Sequence, residues 1–127
     1  MPGWGVIPTI RVRDVRAVID HYRDVLAFTV ERDNPENSTV TRGEARLMVE
    51  PAGSLYSDEY NAEIRERIGS KAPNALYIEE TDIDAYYDRI RTAGARIVDP
   101  LAPRPWGQRE FTVEDGAGNW LTFWSKA

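Results

Sequence analysis

The sequence repeats itself at an interval of 68 residues, and this restricts the chain to two copies of one folding unit. Ile10 is matched by Ile78, Asp14 by Asp82, Val15 by Ile83, Val18 by Tyr86, Ile19 by Tyr87 and Tyr22 by Ile90. Each copy opens with an alternating segment, residues 7–13 or 75–80, that suits a strand. An aspartate then stands where a helix needs a side-chain acceptor for its free N–H groups. Val15, Val18, Ile19, Tyr22 and Leu26 make the apolar stripe of the first helix. Ile83, Tyr86, Tyr87 and Ile90 make that of the second, which Gly94 closes.

Three short strand-like segments follow each helix. In the first copy they are residues 28–32, 39–42 and 46–50, broken by Asn34-Pro35 and Gly43. In the second they are residues 95–98 and the two arms of a hairpin around Asp115-Gly116-Ala117-Gly118-Asn119. The predicted fold is therefore α+β: two βαβββ modules forming a curled mixed sheet around a concave cleft, with the helices outside. A chain of 127 residues needs only one core, so residues 1–127 are predicted to form one domain. Repeat one spans about residues 5–52, a connector about 53–72, and repeat two about 73–127. Tyr60, Ile64 and Ile68 fall four apart after a Ser57 or Asp58 cap, which predicts a short helix in the connector, either packed on the rim or lying over the cleft. Trp4, ahead of the first strand, reads as a terminal packing residue.

Strand alternation divides the side chains between two faces. Ile10, Leu47, Val49, Leu76, Ile78, Phe111, Leu121 and Phe123 are predicted to pack under the helices. Arg11, Met48, Glu50, Tyr77, Glu79, Glu110, Thr112, Trp120, Thr122 and Trp124, together with Thr9, are predicted to line the concave face. A one-residue slip would exchange the two sets. Trp106, between Pro105 and Gly107 at a strand entrance, joins the inner set as a cleft residue.

This inner set points to binding of a small molecule. Flat aromatic rings stack on planar guests and on cations. Glu50, Glu79 and Glu110 would make the cavity negative, unless Arg11, Arg46 and Arg109 neutralise them. The net charge of −5 is in keeping with a cationic guest and opposes a phosphate backbone, so nucleic acid is not expected as a partner. There is no cysteine, hence no disulfide and no thiolate metal ligand. The single histidine, His21, sits in the helix beside core-facing Tyr22, which suits packing better than a catalytic triad. No glycine-rich phosphate loop occurs, and no cofactor is expected. The first residues lack the basic and apolar regions of a secretion signal, and no apolar run is long enough to span a membrane, so the chain reads as cytoplasmic.

Three segments together resemble the vicinal oxygen chelate superfamily, which includes glyoxalases, extradiol dioxygenases and bleomycin-resistance proteins. They are I-P-T-I-R-V-R-D-V near the start, H-Y-R-D-V-L-A-F at the end of the first helix, and P-W-G-Q-R-E-F-T-V-E-D-G-A-G-N before the last strand. The likeness is greatest to the bleomycin-resistance branch. It departs from the family pattern at Ala27, where a glycine is usual, and at Asp115-Gly116, where Asp-Pro is common. The resemblance implies a divalent metal in the family's enzymes, at positions that fall here on Ile7, about Glu50, Ala75 and Thr122. Ile7 and Ala75 cannot ligate a metal, and Thr122 is a poor ligand. The resemblance thus implies no metal and no catalysis, but a homodimer, with Pro8 as a strand-exchange hinge, that sequesters a planar, cationic compound such as an antibiotic. A glyoxalase-like lyase or dioxygenase with atypical ligands, and a protein-binding accessory module, are the alternatives.

Overall fold

The computed structural model describes residues 5–53, 55–68 and 74–126; Trp4 and the end of the connector lie outside these residues. The first module contains β1 (Thr9–Val12), α1 (Val15–Asp24), β2 (Thr29–Arg32), β3 (Ser38–Arg42) and β4 (Ala45–Pro51). The connector carries α2 (Asp58–Arg67). The second module contains β5 (Ala75–Glu79), α3 (Ile83–Thr92), β6 (Arg96–Pro103), β7 (Gln108–Glu114) and β8 (Trp120–Lys126). Asp14 caps α1 by accepting from the Ala17 N–H at 3.0 Å, and Ser57 caps α2 by accepting from the Tyr60 N–H at 3.2 Å. Asp82 occupies the N-cap of α3 but makes no side-chain capping bond.

The mixed sheet is realised as two four-stranded sheets, ordered β1-β4-β3-β2 and β5-β8-β7-β6. Each module's first strand pairs in parallel with that module's own last strand, so each sheet is complete within its module. β6 is five residues longer at its far end than the alternation suggested. It is an edge strand interrupted by register shifts and by Pro100, devices that discourage pairing with another chain.

Of the residues predicted to face the helices, Ile10, Leu47, Val49, Ile78, Phe111, Leu121 and Phe123 are buried on that side, and Leu76 is partly buried against them. They form one continuous core with Ile19 and Tyr22 of α1 and Tyr86 and Ile90 of α3. Phe123 is its aromatic centre: it stacks on Phe111 with ring centroids 5.4 Å apart, and meets Tyr86 edge-on at 4.9 Å and Phe28 of the other module at 6.5 Å. The modules are also joined by polar contacts. The Tyr86 hydroxyl donates to the Leu26 carbonyl at 2.8 Å, and Arg42 bridges to Glu80 at 2.8 Å while lying 3.7 Å from the Tyr86 ring centroid.

His21 packs against the Gly116 backbone, where an added Cβ would stand 3.2 Å from the imidazole. Its Nε2 is buried with no hydrogen-bond partner among the described residues. Burial lowers its pKa from the ordinary value, opposed by the nearby Asp115 charge, so the ring serves as neutral packing material.

α1 ends in a left-handed turn. The Phe28 N–H donates to the Tyr22 carbonyl at 2.9 Å, and Ala27 is the residue forced to positive φ, at 61°. It is the only non-glycine residue with positive φ among those described. A Cβ in this conformation costs roughly 1–2 kcal/mol, part of which glycine would return as greater freedom when unfolded. Ala27→Gly is therefore expected to raise stability by about 1 kcal/mol in urea unfolding, with an unchanged denaturant slope. A loss of stability would mean that the Ala27 methyl group contributes more to packing than its backbone costs.

Candidate binding cleft on the second sheet

The side of β5, β7 and β8 away from the helices carries aromatic and acidic residues, and the strand register brings them together. Tyr77 is opposite Thr122 and Glu79 opposite Trp124 across the β5–β8 pair. Across the β7–β8 pair, Glu110 is opposite Trp124, Thr112 opposite Thr122 and Glu114 opposite Trp120. The polar atoms at the base of this face are mutually satisfied. Thr112 and Thr122 share a hydroxyl hydrogen bond of 2.8 Å. Glu110 is only 4% exposed, yet both its oxygens are engaged: one accepts from the Trp106 indole N–H at 2.7 Å, the other from the Tyr77 hydroxyl at 3.1 Å.

Trp106 reaches this position because Gly107 turns the chain at φ 86° between β6 and β7. The two rings fixed by Glu110 remain largely open, at 62% exposure for Trp106 and 58% for Tyr77, with Trp120 at 38%. A carboxylate beneath them determines how they stand, so their faces are free for a guest. Burial and the bond to Glu110 raise the Tyr77 pKa, keeping its hydroxyl a donor. Beside them is a cavity of about 600 Å³, bounded by Tyr77, Glu79 and Trp124 on one side and by Gly43, Glu44 and Ala45 of the β3–β4 turn on the other.

The predicted acidic residues divide into two groups. Glu50 is buried on the first sheet and is not part of the open cleft: it accepts from the Tyr56 hydroxyl at 2.5 Å and the Asn37 amide at 2.7 Å, and Arg11 stands 3.5 Å away. The connector causes this, because Tyr56 and Tyr60, with ring centroids 4.6 Å apart, lie over Glu50 and Arg11. Arg11 and Met48 likewise belong to the first sheet, away from the indoles. Glu79 and Glu110 make no ion pair among the described residues. Arg46 and Arg109, considered as their partners, bridge instead to Glu31 and Asp84. Glu44 was missed because nothing in a Gly-Glu-Ala turn reveals which strand it will face. No ion pair neutralises it among the described residues either.

The positions at which the resemblance implies a metal do not fit one here. Ile7 and Ala75 offer no ligand atom, Thr122 is bonded to Thr112, and Glu50 is bonded to Tyr56 and Asn37. Among the described residues no three of His, Cys, Asp and Glu gather as a metal-binding group.

The family model for the Glyoxalase/Bleomycin resistance protein/Dioxygenase superfamily matches residues 6–123. Among solved structures, the chain is similar to the bleomycin-binding protein of bleomycin-producing Streptomyces verticillus, complexed with copper(II)-bleomycin, at 26% identity and a TM-score of 0.67, covering 97% of this chain and 96% of that one. TioX from Micromonospora sp. ML1 shares the fold at 23% identity and a TM-score of 0.74, covering 95% and 97% of the two chains. A superfamily member from Sphaerobacter thermophilus DSM 20745 does so at 24% identity and a TM-score of 0.69, covering 93% of each. No curated protein matches the sequence.

Proposed function

The chain belongs to the Glyoxalase/Bleomycin resistance protein/Dioxygenase superfamily, and on that premise we propose that it sequesters a planar, cationic small molecule without a metal and without chemical conversion, as in bleomycin-type antibiotic resistance. The observation that carries this reading is Glu110: a buried carboxylate that holds two exposed aromatic rings in place and meets no cation among the described residues. Its negative charge, with those of Glu79 and Glu44, is available to a guest stacked on Trp106, Tyr77 or Trp124. The open aromatic face would be completed by a second copy of the chain, so the reading includes a homodimer, which sedimentation would test.

Titration with metal-free bleomycin, followed by tryptophan fluorescence, is expected to give saturable quenching. Trp106→Ala is expected to weaken binding at least tenfold, about 1.4 kcal/mol. Glu110→Gln keeps an acceptor for the indole but removes the charge, and is expected to weaken cationic guests more than neutral ones of similar shape. The absence of quenching, or identical curves for the parent and Trp106→Ala, would refute this assignment. Stoichiometric zinc, nickel, manganese or iron in the purified protein would favour the enzymatic alternative.

A further inference from the structure

The internal repeat gives the cleft a counterpart elsewhere on the molecule. The acidic cavity lies between β5 and the β3–β4 turn of the other module. Its equivalent lies between β1 and the β7–β8 turn, and there a second cavity of about 230 Å³ is found, lined by Thr9, Arg11, Ala117 and Asn119 and closed on one side by Ile64, Arg67 and Ile68 of the connector. The charge is inverted. Arg11 occupies the place that Glu79 holds in the second module, and among the described residues no carboxylate lines this cavity. An adjoining hollow of about 320 Å³ shares Arg11, Ile68 and Ala117 with it and adds Arg13, together with Asp14, whose carboxylate is engaged by the Ala17 N–H as the cap of α1. The two form a groove with three arginines, in a protein whose net charge is −5.

The groove has unused hydrogen-bonding capacity. The Arg11 Nε–H is buried with no acceptor among the described residues: Glu50 is 3.5 Å away and its oxygens are already used by Tyr56 and Asn37. Arg11 is thus held at the edge of the groove by Glu50 and by its 2.8 Å bond to the Tyr60 hydroxyl, and the uncompensated charge of the groove, among the described residues, is that of Arg13 and Arg67. Arg13 is exposed and makes no ion pair among the described residues. Arg67 has only a loose contact to Glu63, at 3.7 Å, with most of its side chain in solvent. Between these cations the walls are apolar, formed by Ile10, Ile64, Ile68 and Val18.

We infer that this groove is a second binding site, for a small carboxylate carrying an aliphatic tail, with the arginines meeting the carboxylate and the isoleucines the tail. It is separate from the cation cleft, and each half of the duplicated fold thus accepts a guest of opposite charge.

The test uses octanoate as probe, with calorimetry on the whole chain. Saturable binding of one octanoate per chain is expected, with octanamide, of the same length but uncharged, at least tenfold weaker. Arg67→Glu and Arg13→Glu, both at exposed side chains, are each expected to weaken octanoate at least threefold without moving the thermal midpoint. Trp106→Ala should leave octanoate binding unchanged. Absence of binding, equal affinity for octanamide, or indifference to both charge reversals would overturn the inference. So would a loss of octanoate binding in Trp106→Ala, since that would place the probe in the other cleft.

Discussion

Replacing Asp115 by alanine is expected to cost about 3–5 kcal/mol, one of the largest losses available to a polar substitution in this fold. Its carboxylate accepts from the Tyr22 hydroxyl at 2.5 Å, from the Ala117 and Asn119 N–H groups at 2.9 and 2.7 Å, and from the Asn119 side-chain amide at 3.0 Å. One side chain thus shapes the β7–β8 turn and ties it to a helix of the opposite module. Tyr22 is fully buried, and burial together with the Asp115 charge keeps its phenol protonated. Alanine would leave that hydroxyl and the turn donors without their acceptor, and bonds to a charged acceptor contribute about 1.5–3 kcal/mol each before compensation. Urea unfolding of Asp115→Ala, Tyr22→Phe and the double variant would measure this. The double variant should lose clearly less than the sum of the singles, because the pair acts as one unit. Additive losses would show that the turn, and not the tie to Tyr22, accounts for the effect.

The second large effect is expected at Glu80. It receives two hydrogen bonds from Arg42, at 2.8 and 3.0 Å, across the junction of the modules, and both side chains are mostly buried. Removing one partner of such a pair leaves a charge in a poorly solvated place, and Glu80→Ala is expected to cost about 3 kcal/mol. Arg42 would retain its bond to the Ala27 carbonyl and its position over the Tyr86 ring, so the fold should survive. Replacing both residues with apolar ones of similar size should recover most of the loss. If Glu80→Ala proved neutral in thermal and urea unfolding, the bridge would be a surface pair that happens to span the modules.

Ala27 shows how a sequence-level observation gains meaning from coordinates. Read alone, it is a departure from a family glycine; in the structure it is a residue held at positive φ by the end of α1. Glu50 shows the opposite. Alternation correctly assigned it to the face away from the helices, but could not foresee that Tyr56 would close over it, because the connector's docking depends on residues far from β4. Glu110 shared that parity and remained beside an open cleft, its carboxylate bonded to Trp106 and Tyr77.

The 68-residue repeat, the two-residue alternation and the cap residues were sufficient to give the modules, the helix cap at Asp14 and the division between core and outer faces, while Ser57 and Asp58 stood as equal candidates for the cap of α2 until the coordinates chose Ser57. Those features follow from local backbone geometry, in which side-chain direction is fixed by position along a strand or helix. Charge pairing was decided only in three dimensions. Which carboxylates are neutralised, which remain available to a guest, and which turn faces which strand all depend on contacts between distant segments, and hydrophobic periodicity carries no record of those.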